Sequence, residues 1–181
     1  GYGGSCFPKD VKALIKSGKE ENFDFQILNA TENVNKAQKV ILVSEIEKYF
    51  GGNIKDKKIA MWGLAFKANT DDIREASSLD NISLLLEKGA KITAYDAIAE
   101  ENVKKIFGDK IEYTKDIYSC LEDADCLLIA TEWSEFKNPN FQLMAEKMKN
   151  KAIFDGRNMF SIDQIENTGF YYKSIGRKTI K

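Results

Sequence analysis

The residue most able to do covalent chemistry is Cys6, set in the run GYGGSCFPKD at positions 1–10. A thiolate is a strong nucleophile, and its reactivity depends on nearby positive charge. Lys9 and the start of a following helix would supply that charge. Asp10, four residues beyond the cysteine, could hold or deprotonate a water. Three glycines allow the backbone to approach a ligand closely, and their amides could line an anion or a sugar. A glycine turn with a small buried thiol and a capping aspartate is the plainer alternative, and the cluster Cys-x-Pro-Lys-Asp argues against it. The chain has no histidine. It therefore contains no Ser–His or Cys–His dyad, and acid–base work falls to Lys, Asp, Glu, Tyr and Cys.

A second cluster is GLAFKANTDDIREASSL at 63–79. Lys67 and Arg74 carry charges suited to a phosphate or a carboxylate. Thr70-Asp71-Asp72 could instead simply cap the next helix. The run has one glycine where a dinucleotide turn has several, so it is not a GxGxxG fingerprint. The third cluster, IFDGRN at 153–158, puts Arg157 just beyond an apolar run. Asp96, after KITAY, sits like the ribose-binding acid of dinucleotide folds, a weak match without the glycines. Cys120 and Cys126 read as structural, and Trp133, Phe136 and Phe141 as core. No metal site is expected, since no Cys/His cluster has zinc spacing.

These residues need elements to position them. A helix is expected after Asp10, with Val11, Leu14 and Ile15 at helical spacing. A long helix of about 25 residues is expected next, from Ile27 to near Phe50, stopped by Gly51-Gly52. Buried strands are expected at 58–66, 91–96, 110–114, 125–131, 152–156 and 169–176, with helices at 77–88, 99–107, 116–122, 139–149 and 161–167. Such alternation predicts an α/β fold: a Rossmann-like, doubly wound parallel sheet preceded by a long helical segment. Three parts follow: a catalytic loop (1–10), a helical central segment (11–55) and a Rossmann-like domain (56–181). Ligands would sit beyond the carboxyl ends of the strands, where Phe66-Lys67, Asp96, Glu132-Trp133 and Arg157 lie.

Across its 181 residues the chain has 27 Lys+Arg and 28 Asp+Glu, for a formal net charge of -1. That balance gives no global field for nucleic acid or an anionic membrane, so neither is an expected partner. No apolar run approaches a membrane span, and the protein reads as soluble and intracellular. Three cysteines are too few for a disulfide framework. The sequence opens with Gly1 inside a dense motif, which suggests a fragment of a longer protein.

The runs GYGGSCFPKD, GLAFKANTDDIREASSL, ATEWSEF (130–136) and FDGRN, in this order and at these spacings, resemble the UDP-glucose/GDP-mannose dehydrogenase family, and within it the UDP-glucose 6-dehydrogenases. The resemblance runs from Gly1 almost to the last residue. It implies oxidation of the C6 alcohol of UDP-glucose to a carboxylate, in two hydride transfers to NAD. It makes Cys6 the nucleophile that forms a thiohemiacetal and then a thioester, with Asp10 as a base or water-orienting group. Gly1, Tyr2 and Gly3 match the loop that wraps the sugar. Phe66, Lys67 and Arg157 match substrate-binding positions, and Lys9 and Arg74 match positions that contact NAD.

The resemblance also implies a cytoplasmic enzyme and a homodimer, or higher homo-oligomer, formed through the long helix. The family's NAD-binding domain and upstream acid–base lysine lie outside this sequence, so the stretch alone is not expected to turn over sugar. Ser5 speaks against relatives acting on N-acetylated sugars, which show histidine there. Glu132-Trp133 and Phe66-Lys67 favour UDP-glucose over GDP-mannose. Two competing readings are a nucleotide-binding module without chemistry and half of a short-chain or 2-hydroxyacid dehydrogenase. The latter would need a phosphate-binding glycine turn after the first strand, which GLAFK is not.

Overall fold

The computed structural model describes every residue from Gly1 to Lys181. Three helices come first: α1 (Phe7–Glu20), α2 (Gln26–Lys39) and α3 (Ile41–Tyr49). Strands and helices then alternate: β1 (Lys58–Trp62), α4 (Ser77–Glu87), β2 (Lys91–Tyr95), α5 (Glu100–Phe107), β3 (Glu112–Tyr113), β4 (Cys126–Ile129), α6 (Phe141–Lys147), β5 (Ala152–Asp155), α7 (Ile162–Ile165) and β6 (Tyr171–Ser174). Each predicted strand and crossover is present, shortened at its ends; the helix expected at 116–122 is a single 3-10 turn, Ser119–Leu121. The sheet has the order β3-β2-β1-β4-β5-β6, and every neighbouring pair is parallel. This is the doubly wound order, whose direction of winding reverses between β1 and β4.

Alternation along the strands builds two cores. In β1, Ile59 and Met61 point to one face, with Ile82 and Leu85 of α4, Ile92 of β2 and Val103 of α5. Ala60 and Trp62 point to the other, with Leu127, Phe136, Met144, Ile153, Phe160 and Tyr172. Side chains of this size each stabilise the fold by about 1.5–3 kcal/mol when fully buried. Trp62 keeps its indole satisfied by donating to the carbonyl of Ile117 at 3.0 Å.

Two expectations need correction. The long helix is broken at Val40, giving 14 residues in α2 and 9 in α3. The Asn81 side-chain amide of α4 donates to the carbonyl of Lys39 at 3.1 Å and so takes an acceptor at the break. A side chain entering the helical ladder is a recognised cause of such kinks. The break also lets α3 turn onto the sheet, where Leu42, Val43 and Ile46 join the first core. Hence α3 packs against the α/β unit. It ends as expected: Gly51 and Gly52 both have positive φ, and their amides return to Lys48 and Glu47 at 3.2 and 2.8 Å.

The second correction concerns the first ten residues. Only Gly1–Cys6 is loop, because α1 begins at Phe7 with Pro8 in its first turn, where a missing N–H costs nothing. Cys6, not Asp10, occupies the N-cap position, and Asp10 lies inside the first turn.

Candidate active site

Cys6 is exposed at the amino end of α1, and its carbonyl accepts the Asp10 amide at 3.0 Å to close the first helical turn. No side chain caps this helix end, so its leading amides remain available to an anion. The Ser5 hydroxyl lies 3.6 Å from the sulfur.

The loop before Cys6 is fastened on two sides. On one side α2 holds Tyr2: its amide donates to Asn35 Oδ1 at 2.6 Å, Asn35 Nδ2 donates back to the Tyr2 carbonyl at 3.2 Å, and the Tyr2 hydroxyl donates to Glu32 at 3.0 Å. Burial, and then the Glu32 carboxylate, raise the Tyr2 pKa. On the other side, the loop lies on the segment after β1. The Gly4 amide donates to the Arg74 carbonyl at 2.8 Å. A Cβ on Gly3 would stand 2.4 Å from the Glu75 carbonyl, and one on Gly4 would stand 2.8 Å from the Phe66 ring. Only glycine permits this approach.

Glu75 ties the two sides together. Its carboxylate accepts from Lys12 of α1 and, at 2.9 Å, from Lys39 of α2, which also pairs with Asp80 at 3.3 Å. The hydrogen bonds from Lys12 and then Lys39 hold the Glu75 carboxyl below the usual range. Glu75 has φ 54, a left-handed conformation uncommon outside glycine, and such strain persists where surroundings over-determine it. Next to it, Arg74 makes a two-pronged pair with Asp72, at 2.9 and 2.7 Å, which lowers the Asp72 pKa. The Arg74 charge is favoured chiefly by its hydrogen bonds to Asp72.

Arg157 closes the far side. Its Nε donates to the Ala130 carbonyl at 2.7 Å and its Nη2 to the Phe66 carbonyl at 3.1 Å, while Glu132 lies 3.3 Å from Nε. The turn carrying it is set by Asp155, fully buried, which accepts from the amides of Arg157 and Met159 and from the Tyr172 hydroxyl at 2.8, 2.6 and 2.7 Å. Lys67 lies 5.3 Å from the centre of the Phe66 ring. A cavity of about 40 Å³ opens between Gly1, Lys39, Ser77, Asn81 and Arg157.

Gly1, Tyr2, Gly3, Phe66, Lys67 and Arg157 are thus brought to one edge of the sheet, with Cys6 and Arg74 beside them. Lys9 and Asp10 follow Cys6 in the first turn of α1; both are exposed, and their ion pair is with each other at 3.3 Å. Asp96 departs from the ribose-binding reading. It is 4% exposed and bound entirely to the protein, through the amides of Leu64, Ala65, Ile98 and Ala99 and the Trp133 indole. Sequence reasoning did not find Glu32, Asn35, Lys39 or Glu75. Glu32 and Asn35, three apart on the helix face that meets Tyr2, were the one readable sign.

Residues 60–162 match the family profile described as the UDP-glucose/GDP-mannose dehydrogenase family, UDP binding domain, and residues 1–37 match the central domain of the same family. The chain is 39% identical to UDP-glucose 6-dehydrogenase TuaD of Bacillus subtilis, over all of this chain and 39% of that protein. It is 40% identical to a UDP-glucose 6-dehydrogenase of Pseudomonas aeruginosa, over 98% of this chain and 40% of the relative. The chain therefore spans about two fifths of the length of these relatives. Among solved structures, a UDP-glucose dehydrogenase from Pyrobaculum islandicum superposes with a TM-score of 0.79 at 33% identity, covering 88% of this chain and 35% of that one. A UDP-D-ManNAc dehydrogenase from Pyrococcus horikoshii gives 0.77 at 27% identity, covering 98% and 39%.

Proposed function

Because the chain belongs to the UDP-glucose/GDP-mannose dehydrogenase family, we propose that it is the substrate-side part of an NAD-dependent UDP-glucose 6-dehydrogenase, completed by a dinucleotide-binding segment outside this sequence. The observation that carries this reading is the bond from the Gly4 amide to the Arg74 carbonyl, which seats the Cys6 loop on the edge that presents Phe66, Lys67 and Arg157. A nucleophile and a set of cations suited to a phosphorylated sugar then lie on adjoining segments. The relatives named UDP-glucose 6-dehydrogenases support glucose as the sugar.

In this mechanism Gly1–Gly3 wrap the sugar while Lys67 and Arg157 hold its polar groups. Arg157 keeps N–H groups beyond those fixed on Ala130 and Phe66, and these would serve the ligand. The exposed side chains of Lys9 and Arg74 would hold NAD, which would supply the hydride acceptor for both oxidations. After the first oxidation the Cys6 thiolate adds to the C6 aldehyde, and the open amides at the start of α1 face the oxyanion of the thiohemiacetal. Loss of the second hydride leaves a Cys6 thioester. Asp10 orients the water that cleaves it, releasing the carboxylate and the thiol.

The dimer is assigned to α2, where Ile27 is 82% and Val34 67% exposed on one helical stripe. Three unpaired thiols suit a reducing compartment, and the enzyme is placed in the cytoplasm. No helix is long and apolar enough to cross a membrane.

The test is NADH formed per sugar by the full-length enzyme, supplied in turn with UDP-glucose, GDP-mannose and UDP-N-acetylmannosamine. Two NADH per UDP-glucose, lost in Cys6→Ala, is the expected result. Turnover of another sugar alone would overturn the substrate. No NADH with any of them would leave a binding module.

A further inference from the structure

In a doubly wound sheet the turn after β1 presents free amides to a pyrophosphate, and an acid ending β2 holds the ribose. In this chain the two features are joined to each other. Asp96 Oδ2 accepts the Leu64 amide at 2.6 Å and the Ala65 amide at 3.0 Å, and also the Trp133 indole at 3.0 Å. Its Oδ1 accepts the amides of Ile98 and Ala99, just before α5, at 3.0 and 2.8 Å. The remaining amides of the turn are taken as well: Gly63 donates to the Tyr95 carbonyl at 2.8 Å and Phe66 to the Asp72 carbonyl at 3.0 Å. Its carbonyls are held too, with Ser78 donating to Leu64, Thr131 to Ala65 and Arg157 to Phe66. From Gly63 to Phe66 no backbone donor is left for a phosphate.

We propose that Asp96 is a specificity-determining residue whose carboxylate acts as an internal anion, occupying the dinucleotide position of this sheet and closing it to NAD. Charge-assisted bonds from several amides to one carboxylate are strong, and an outside phosphate would have to displace a carboxylate held by five donors. Trp133, itself 7% exposed, covers the carboxylate as well as donating to it. The consequence for a nucleotide sugar rests on the proposed function: its phosphates must be received by side chains outside the turn, Lys67 and Arg157 among them.

The experiment uses the 181-residue chain and its variants Asp96→Ala and Asp96→Asn, with formate, inorganic pyrophosphate and NAD as probes. In the unsubstituted chain, the amide resonances of Leu64 and Ala65 are expected to stay fixed in pyrophosphate and in NAD. In Asp96→Ala, formate should restore what the missing carboxylate supplied, raising the melting temperature in a saturable way that the unsubstituted chain does not show. Asp96→Asn keeps the shape and fills the site, so its melting temperature should not respond to formate. Movement of the Leu64 and Ala65 amides with NAD in the unsubstituted chain would overturn the proposal. So would an Asp96→Ala chain whose stability, or whose failure to fold, is indifferent to formate and pyrophosphate. These readouts need no turnover, so a failure of the dehydrogenase reading leaves them intact.

Discussion

Arg157 gives two of its five N–H groups to the protein, gripping the carbonyls of Ala130 and Phe66 and so joining the ends of β4 and β1. A lysine has neither the planar fork nor the directions to make both bonds. Arg157→Lys should therefore weaken the sugar nucleotide by about tenfold to a hundredfold in KM, the loss expected for hydrogen bonds to a charged group worth ~1.5–3 kcal/mol. Its effect on kcat should be smaller, and steady-state kinetics of the full-length enzyme would check the split. At this scale the motif residues were legible because their type and local spacing carry the chemistry. Glu75 and Asp96 were not. Glu75 looks like one more charge in a polar loop, and its partners Lys12 and Lys39 lie 63 and 36 residues away. Asp96 has the position of a ribose ligand, and only the closeness of the Leu64 and Ala65 amides reveals its other use.

The break at Val40 shows how an element depends on its neighbours. Hydrophobic spacing continues across the break, so periodicity alone reads one helix; the interruption comes from a side chain on α4. Asn81 also donates to the Ser77 carbonyl at 2.6 Å, and it is 4% exposed. Replacing it with alanine leaves the Lys39 carbonyl short of a donor at a buried junction. Asn81→Ala should cost about 1–3 kcal/mol, measured as a fall in the urea midpoint with an unchanged slope. The strands, by contrast, were readable in number and order, though not at their ends, since β1 stops at Trp62 where a strand to residue 66 was expected. Short apolar runs between turn residues have one stable use in this architecture, a central strand covered on both faces.

The whole molecule has two well-filled cores and one uncovered stripe. Ile27 and Val34 lie on α2, away from both cores, and the structure gives them no partner within the chain. If α2 pairs with a second copy, Val34→Glu places a charge in the seam and should shift the chain toward monomer, removing the dependence of its melting temperature on chain concentration. Sedimentation of both forms across a range of concentrations would decide it. The interior also sets an alkaline limit. Burial pushes the Cys120 thiol up to about 12 and the Cys126 thiol well above its ordinary value, while Tyr95 and Tyr113 rise to about 12, chiefly through burial. Each raised pKa favours the neutral form in the fold. The stability it contributes is complete below the unfolded pKa and is lost as pH rises past it. Stability should therefore decline from about pH 8.5, where unfolded thiols ionise, and more steeply from about pH 10 with the phenols. Urea unfolding measured across that range would show the slope, and Cys126→Ala should flatten its first part.

The contrast between one accessible thiol and two enclosed ones makes the chain its own reporter. Cys6 is open to solvent, whereas Cys120 rests its sulfur against the carbonyl of Thr93 at 3.1 Å and Cys126 lies in the central strand β4. A disulfide reagent added to the native chain should release one equivalent of chromophore at once. The other two should appear only as the sheet opens, on the timescale of that opening. The fast phase then measures the reactivity of the proposed nucleophile, and the slow phase times the breathing of the fold, in one cuvette and without an introduced label.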